Sequence, residues 1–398
     1  MSTRSRKVRT YIQDFLFEEA ASGAILVGAV VVGMLWFNVA ESSYVDVWAR
    51  SAALDLGPIS VHKNVAGWVE SGLMAIFFFV VGLELKRELV VGELRDRAVA
   101  IVPITAAVGG MAVPAVVFLI VDAGTGAADG WGVPVATDIA LVLGLLALLG
   151  SRVSTGLKLF ILTLAIVDDL LGIAAIAIFY TDDLALNWLF GAGVALAAGS
   201  WGIRASPRGW VVAGVGVVVW YFVYKAGVKP ALAGAAVGLC LPAGPVCGRQ
   251  LLTDLEDRVH PWSAFVALPL FGITSAAIDV SPSGLGDALG DRVTWAVIVG
   301  AVVGKLVGIV GATFAIVAAG RRLPEGMGRR DVWAAGALGG VGFSVALFIA
   351  SAAFSTRPEL LASARVGVLV AGVVAAAIGT AIITLSSRGR PEVANSDP

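Results

Sequence analysis

Apolar windows of roughly 20 residues recur along the whole chain, separated by short polar turns. About 20 helical residues, at 1.5 Å each, cross a hydrocarbon core of about 30 Å. The pattern therefore predicts an all-α polytopic membrane protein with twelve transmembrane helices. Their approximate limits are 16–38, 65–83, 98–121, 134–150, 157–180, 184–202, 209–224, 228–242, 262–279, 294–318, 332–353 and 363–386. Short connections make 16–386 one compact domain, with a basic segment 1–15 before it and a polar, flexible tail 387–398 after it. The longest connection, 40–64, holds Leu56-Gly57-Pro58 between two short β-prone runs. It predicts either a small hairpin projecting from the membrane or a structureless loop.

Two windows are poor helices. The fourth contains Val133-Pro134-Val135-Ala136-Thr137-Asp138, in which proline disfavours helix before it and Thr and Asp compete for backbone bonds. The eleventh contains Gly336-Ala337-Leu338-Gly339-Gly340-Val341-Gly342-Phe343-Ser344, where the glycines oppose helix through backbone entropy. Windows 3-4-5 and 10-11-12 thus form two triplets, each broken in the middle. An odd offset of seven windows inverts the second triplet relative to the first. Inverted repeats with two crossed, interrupted helices predict a secondary transporter whose site lies at the repeat interface.

Composition supports the membrane reading: 58% of 398 residues are hydrophobic and only 14% charged. The basic residues are unevenly placed. With the N-terminus inside, twenty of the 28 fall in inner segments and seven in outer ones, with Lys305 inside a window. Both termini are therefore expected in the cytoplasm. A net charge of -1 offers no basic surplus for nucleic acid. The two cysteines, Cys240 and Cys247, fall near an inner membrane edge, where thiols stay reduced. Two histidines, neither near a cysteine, give no zinc or haem pattern, and no cofactor is expected.

Four charged residues lie deep in these windows: Asp138, Asp168, Asp169 and Lys305. A charge near the bilayer centre costs on the order of 3 kcal/mol, so it marks an ion or proton path unless it is structural. The adjacent carboxylates of Ala165-Ile166-Val167-Asp168-Asp169-Leu170-Leu171-Gly172 also repel each other, which favours a proton on one. Neighbours on a helix differ by about 100° in direction, so one can face a cavity while the other faces a partner such as Lys305. Their oxygens, with the Thr137 hydroxyl, suit a small dehydrated cation. Asp138 fits a structural role, offsetting two half-helix N-termini. Lys305 fits either paired C-termini or a carboxylate.

Further groups sit at the inner edge. Glu84 and Glu88 end the second window, as an ordinary solvated helix end or as a funnel attracting cations. Glu256 and His260 open the ninth, where His260 is a pH-responsive group or an ordinary interfacial histidine. His62 carries no assignment. An intramembrane aspartyl protease is the rival among enzymes, but Gly284-Leu285-Gly286-Asp287 falls in a polar outer loop and no Tyr-Asp pair exists. A sodium-coupled symporter of organic anions would need polar groups for a larger solute, which the windows do not offer.

The run Gly72-Leu73-Met74-Ala75-Ile76-Phe77-Phe78-Phe79-Val80-Val81-Gly82-Leu83-Glu84-Leu85-Lys86-Arg87-Glu88-Leu89 closely resembles the second-helix signature of NhaA-type sodium/proton antiporters. Ala136-Thr137-Asp138-Ile139-Ala140, Val167-Asp168-Asp169, His260-Pro261-Trp262-Ser263, Gly304-Lys305 and Gly339-Gly340-Val341-Gly342-Phe343 follow in the family's order. That family is itself among the known examples of broken, inverted repeats, so the two readings are not independent. The resemblance implies an inner-membrane transporter, not an enzyme, exchanging Na⁺ or Li⁺ for protons electrogenically. It implies Asp169 as the central cation ligand, Asp168 as its essential neighbour, and Lys305 as a proton-coupling or stabilising group. It ties Glu84 and Glu256 to pH response and the 40–64 connection to a homodimer. Lys229-Pro230 departs from a His-Ala common in the family, and Asp257 stands where a second histidine occurs. Both touch the pH-sensing positions.

Overall fold

The computed structural model describes residues 3–387 except 58, 96, 182–183 and 247. The tail beyond 387 and Cys247 lie outside the described residues.

Helix α1 (Thr3–Val39) carries the first window and is followed by α2 (Glu41–Trp48). The antiparallel strands β1 (Leu54–Leu56) and β2 (Ile59–Val61) come next, pairing Leu54 with Val61. The connection 40–64 is thus a hairpin rather than a structureless loop, and α2 adds a helix that the polar pattern of that stretch did not indicate. Tyr44 pins α2 to the body, its hydroxyl lying 2.7 Å from the Ile273 carbonyl.

The chain continues as α3 (Val65–Val90), α4 (Arg97–Val121), a 3-10 segment at Ala128–Val135 and α5 (Ile139–Leu149). Next come α6 (Thr155–Phe179), α7 (Leu186–Ala205), α8 (Gly209–Lys225) and the short α9 (Leu232–Cys240). Then follow α10 (Leu251–Trp262), α11 (Leu268–Ser275), α12 (Pro282–Gly290) and α13 (Arg292–Ala318). Last are α14 (Arg329–Leu338), α15 (Ser344–Ala353) and α16 (Pro358–Ser387). Among the described residues, eight helical stretches are long and apolar enough to cross a membrane. Gly284-Leu285-Gly286-Asp287, expected in a loop, lies in α12, with the Ser281 hydroxyl accepting from the Gly284 amide at its start.

Large apolar side chains face outward, with Leu148 83% and Trp201 76% exposed. In a chain of this hydropathy such residues face lipid, which is as apolar as they are. Inside, one apolar cluster gathers around Phe78, Phe118, Phe348 and Phe354, and a second around Leu143, Leu146, Phe160 and Ile309. Both reach the helix interruptions: Ala136 and Phe343 belong to the first and Val341 to the second.

The interruptions run over 136–138 and 339–343 and touch each other. The Asp138 amide donates to the Val341 carbonyl at 2.8 Å. A side chain at Gly342 would collide with the Ala136 carbonyl, so glycine is what allows the two backbones to approach. Among the described residues three π-helical turns also occur, at Val69–Leu73, Ser263–Ala267 and Gly300–Gly304, the last ending immediately before Lys305.

Candidate functional site

The two backbone interruptions leave two helices, α5 and α15, starting inside the protein. Their first amides lack helical partners and carry partial positive charge. Asp138 serves both. Its Oδ1 accepts from the Leu141 amide, and its Oδ2 accepts from the Ser344 amide at 3.0 Å and the Ser344 hydroxyl at 2.6 Å. A serine at the first helical position after a glycine run is a signal the sequence did carry, and Ser344 was not singled out from it.

On α6 the two adjacent aspartates part company. Asp168 turns to Lys305, whose Nζ stands 2.7 Å from Asp168 Oδ2, with both side chains sealed from solvent. The same ammonium donates to Thr137 Oγ1 at 3.0 Å, and that hydroxyl donates to the Gly339 carbonyl at 2.8 Å. Of the two alternatives for Lys305, the geometry selects the carboxylate. The second oxygen, Asp168 Oδ1, is buried with no hydrogen bond among the described residues.

Asp169 points elsewhere, into an open cleft shared with Thr137, Asp138 and Ser344. The charged groups within electrostatic reach of it are Asp168, Glu84, Asp138 and Lys305. Farther along, the cleft is lined by Phe77, Glu84, Arg87 and His260, with Ser22 and Ser263 on its walls. It therefore runs from the C-terminal end of α3 to the carboxylate of Asp169. Asp169 lines the inner end of that cleft and is itself buried, 6% exposed.

At the mouth, Arg87 Nη1 contacts Glu256 Oε1, and Arg87 Nε lies 3.8 Å from Glu88. Glu256 itself is buried, and its Oε2 has no hydrogen bond among the described residues. Burial pushes its carboxyl upward from the ordinary range, opposed by Arg87. Arg87 is the second residue that sequence reasoning passed over, since only the fold brings α3 beside α10.

The structure thus gathers Asp169, Thr137, Asp138, Glu84 and His260 around one cleft and sets Asp168 and Lys305 behind it. The arrangement can hold a small cation or protons on carboxylate oxygens that line a cleft, next to a fixed buried charge pair.

Comparison with known proteins bears on what that cleft serves. The family model described as Na+/H+ antiporter 1 matches residues 13–383. A Na(+)/H(+) antiporter NhaA 1 of Frankia alni is 40% identical over 410 residues, covering 98% of this chain and 95% of its own. A Na(+)/H(+) antiporter NhaA 2 of Kineococcus radiotolerans is 41% identical, covering 95% of this chain and 85% of its own. A protein of the same name from Erythrobacter litoralis is 38% identical, covering 95% of both chains. These relatives carry the names of transporters rather than enzymes. With the family model matched along nearly its whole length and relatives of this similarity end to end, this chain is a multi-pass membrane protein belonging to the NhaA-type Na⁺/H⁺ antiporter family.

Proposed function

We propose that the chain exchanges Na⁺ or Li⁺ for protons, electrogenically, across a bacterial inner membrane. Asp169 is the shared site. Its carboxylate takes either a cation, with Thr137 supplying a further oxygen and Asp168 another once it turns from Lys305, or protons from the same cleft. Competition at one site couples the two fluxes, because entry of the cation displaces the protons. Movement of one group of helices against the other then presents the site to the opposite face. The observation that carries this reading is the split between neighbours on α6: both are buried, but Asp169 lines the cleft and Asp168 pairs with Lys305.

In this reading the chain has twelve spans, six of them in two triplets inverted relative to each other, with 136–138 and 339–343 as the crossed interruptions. The transport domain covers 16–386, and both 1–15 and 387–398 are cytoplasmic. The cleft opens to the cytoplasm, where Glu84, Glu256 and His260 adjust exchange to pH. Asp138 compensates the half-helix dipoles, and Lys305 holds Asp168 ready for proton coupling. A second copy of the chain docks through 40–64.

The test is Asp169→Asn in proteoliposomes of defined orientation. The variant should reach the membrane and lose Na⁺-driven proton movement. Unchanged exchange in a correctly folded variant would overturn the assignment.

A further inference from the structure

A second polar cavity lies at the other end of α3 from Glu84. Lys63, Glu70, Tyr224, Lys229 and Phe348 line it. Glu70 and Glu84 sit on the same helical stretch, fourteen positions apart, which separates them by about 21 Å at helical rise. The two cavities are kept apart by aromatic rings. Phe77 lines the cleft and packs on Phe78 with ring centres 5.2 Å apart, and Phe78 packs on Phe348 at 5.3 Å. Phe78 and Phe348 are both fully buried.

The two cavities differ in charge. The cleft carries Asp169, Asp138 and Glu84, with Arg87 engaged by Glu256. The second cavity has two ammonium groups against one carboxylate. Lys63 lies over the Tyr224 ring, 5.3 Å from its centre. Burial holds its ammonium below the usual lysine range, while Glu70 raises it and Lys229 lowers it, which places all three within electrostatic reach. Glu70 is already engaged, accepting from the Ser351 hydroxyl at 2.8 Å. Nearby cations add to the imbalance. Lys225 stands 5.8 Å from the same Tyr224 ring, and Arg365 lies within reach of Glu70.

We propose that Lys63 and Lys229 set the cation affinity of the outer face: by keeping this cavity positive, they raise the outer KM and slow re-entry of an extruded ion, while the ion gradients set the net direction. The proposal rests on the reading of Asp169 as the exchange site and of this cavity as its outer approach. A cation released into a positive vestibule is driven outward, whereas the acidic cleft concentrates cations on the other side. The effect is one of affinity by side, without contact between either lysine and Asp169.

The test compares the apparent KM for Na⁺ from each face, in right-side-out and everted vesicles, for the wild type and Lys63→Gln/Lys229→Gln. KM from the outer face should fall about threefold or more, as expected for removing unit charges near a path under partial screening. KM from the cleft side should stay the same, and the outer effect should shrink at high ionic strength. Lys63→Arg/Lys229→Arg should retain the wild-type asymmetry. An outer KM unchanged in the Gln variant, or changed equally on both faces, overturns the proposal. Should the double variant fail to reach the membrane, Lys229→Gln and Lys229→Glu carry the same comparison, with a larger fall expected for Glu. Asp169→Asn separates the two readings: dead exchange in that variant with no asymmetry change in the lysine variants discards only the present one.

Discussion

Lys305 and Asp168 face each other at 2.7 Å, 137 residues apart in sequence, in a part of the protein closed to solvent. Breaking such a buried pair by removing one partner costs about 3–5 kcal/mol, because the other charge is left without compensation. Lys305→Ala should therefore lower thermal stability in detergent clearly, and Asp168→Asn similarly. The double change Asp168→Asn/Lys305→Met should recover part of that loss. A double-mutant cycle on unfolding temperature checks this, and additive losses would mean that the two side chains are not coupled.

Asp138 caps two helices at once, and its loss should be felt at both. Each N-terminal cap is worth about 0.5–2 kcal/mol, so Asp138→Ala should destabilise by more than Ser344→Ala, which leaves the Leu141 contact intact. Thermal unfolding of the two purified variants gives the order directly. Equal losses would show that the Asp138 contact to α5 contributes nothing.

Glu256 should give stability a pH dependence of definite sign. Its folded-state value is raised above the ordinary 4.5, burial being the main cause and Arg87 the opposing one. The folded protein thus prefers the protonated carboxyl more than the unfolded chain does. That contribution is complete below about pH 4.5 and is lost as pH rises through the raised value. Glu256→Gln should lack this loss, so its unfolding temperature relative to the wild type should climb across that window. Parallel profiles for the two proteins would count against a raised carboxyl.

The close packing of α3 and α9 depends on a missing side chain. A Cβ at Gly234 would run into the Ala75 carbonyl, whereas one at Gly216 on α8 meets nothing within 4 Å. Gly234→Ala should force the helices apart and destabilise by about 1–3 kcal/mol, with Gly216→Ala near neutral. Detergent stability and yield of the folded protein report the difference. A neutral Gly234→Ala would mean that the two helices separate at no cost.

A good deal of this was legible in the chain itself. Hydropathy alone marks a polytopic membrane protein, and the signature from Gly72 to Leu89 with the Asp168-Asp169 pair identifies the family. Thr137, Asp138 and the glycines of 339–342 fall where the helices break, because they bond local backbone or lose too much backbone entropy, whereas Pro134 lies within the 3-10 segment just before the first break. Short or polar elements were less visible. Helix α2 spans eight residues, a length at which packing rather than propensity decides helix formation.

What residues and their order determined by themselves is the medium, the approximate spans, the weak points of two helices, and the set of charges that must be accounted for. They also required Asp168 and Asp169 to look in different directions. They did not say which looks where, because the two carboxylates are the only charges in the middle of α6 and its other central side chains are apolar around the whole helix. The tertiary structure made that choice by bringing Lys305 to Asp168, Ser344 to Asp138, and Arg87 to Glu256, across separations of 137, 206 and 169 residues. Local pattern carries no term for such distances; the cost of leaving a charge unmatched in a dry interior does.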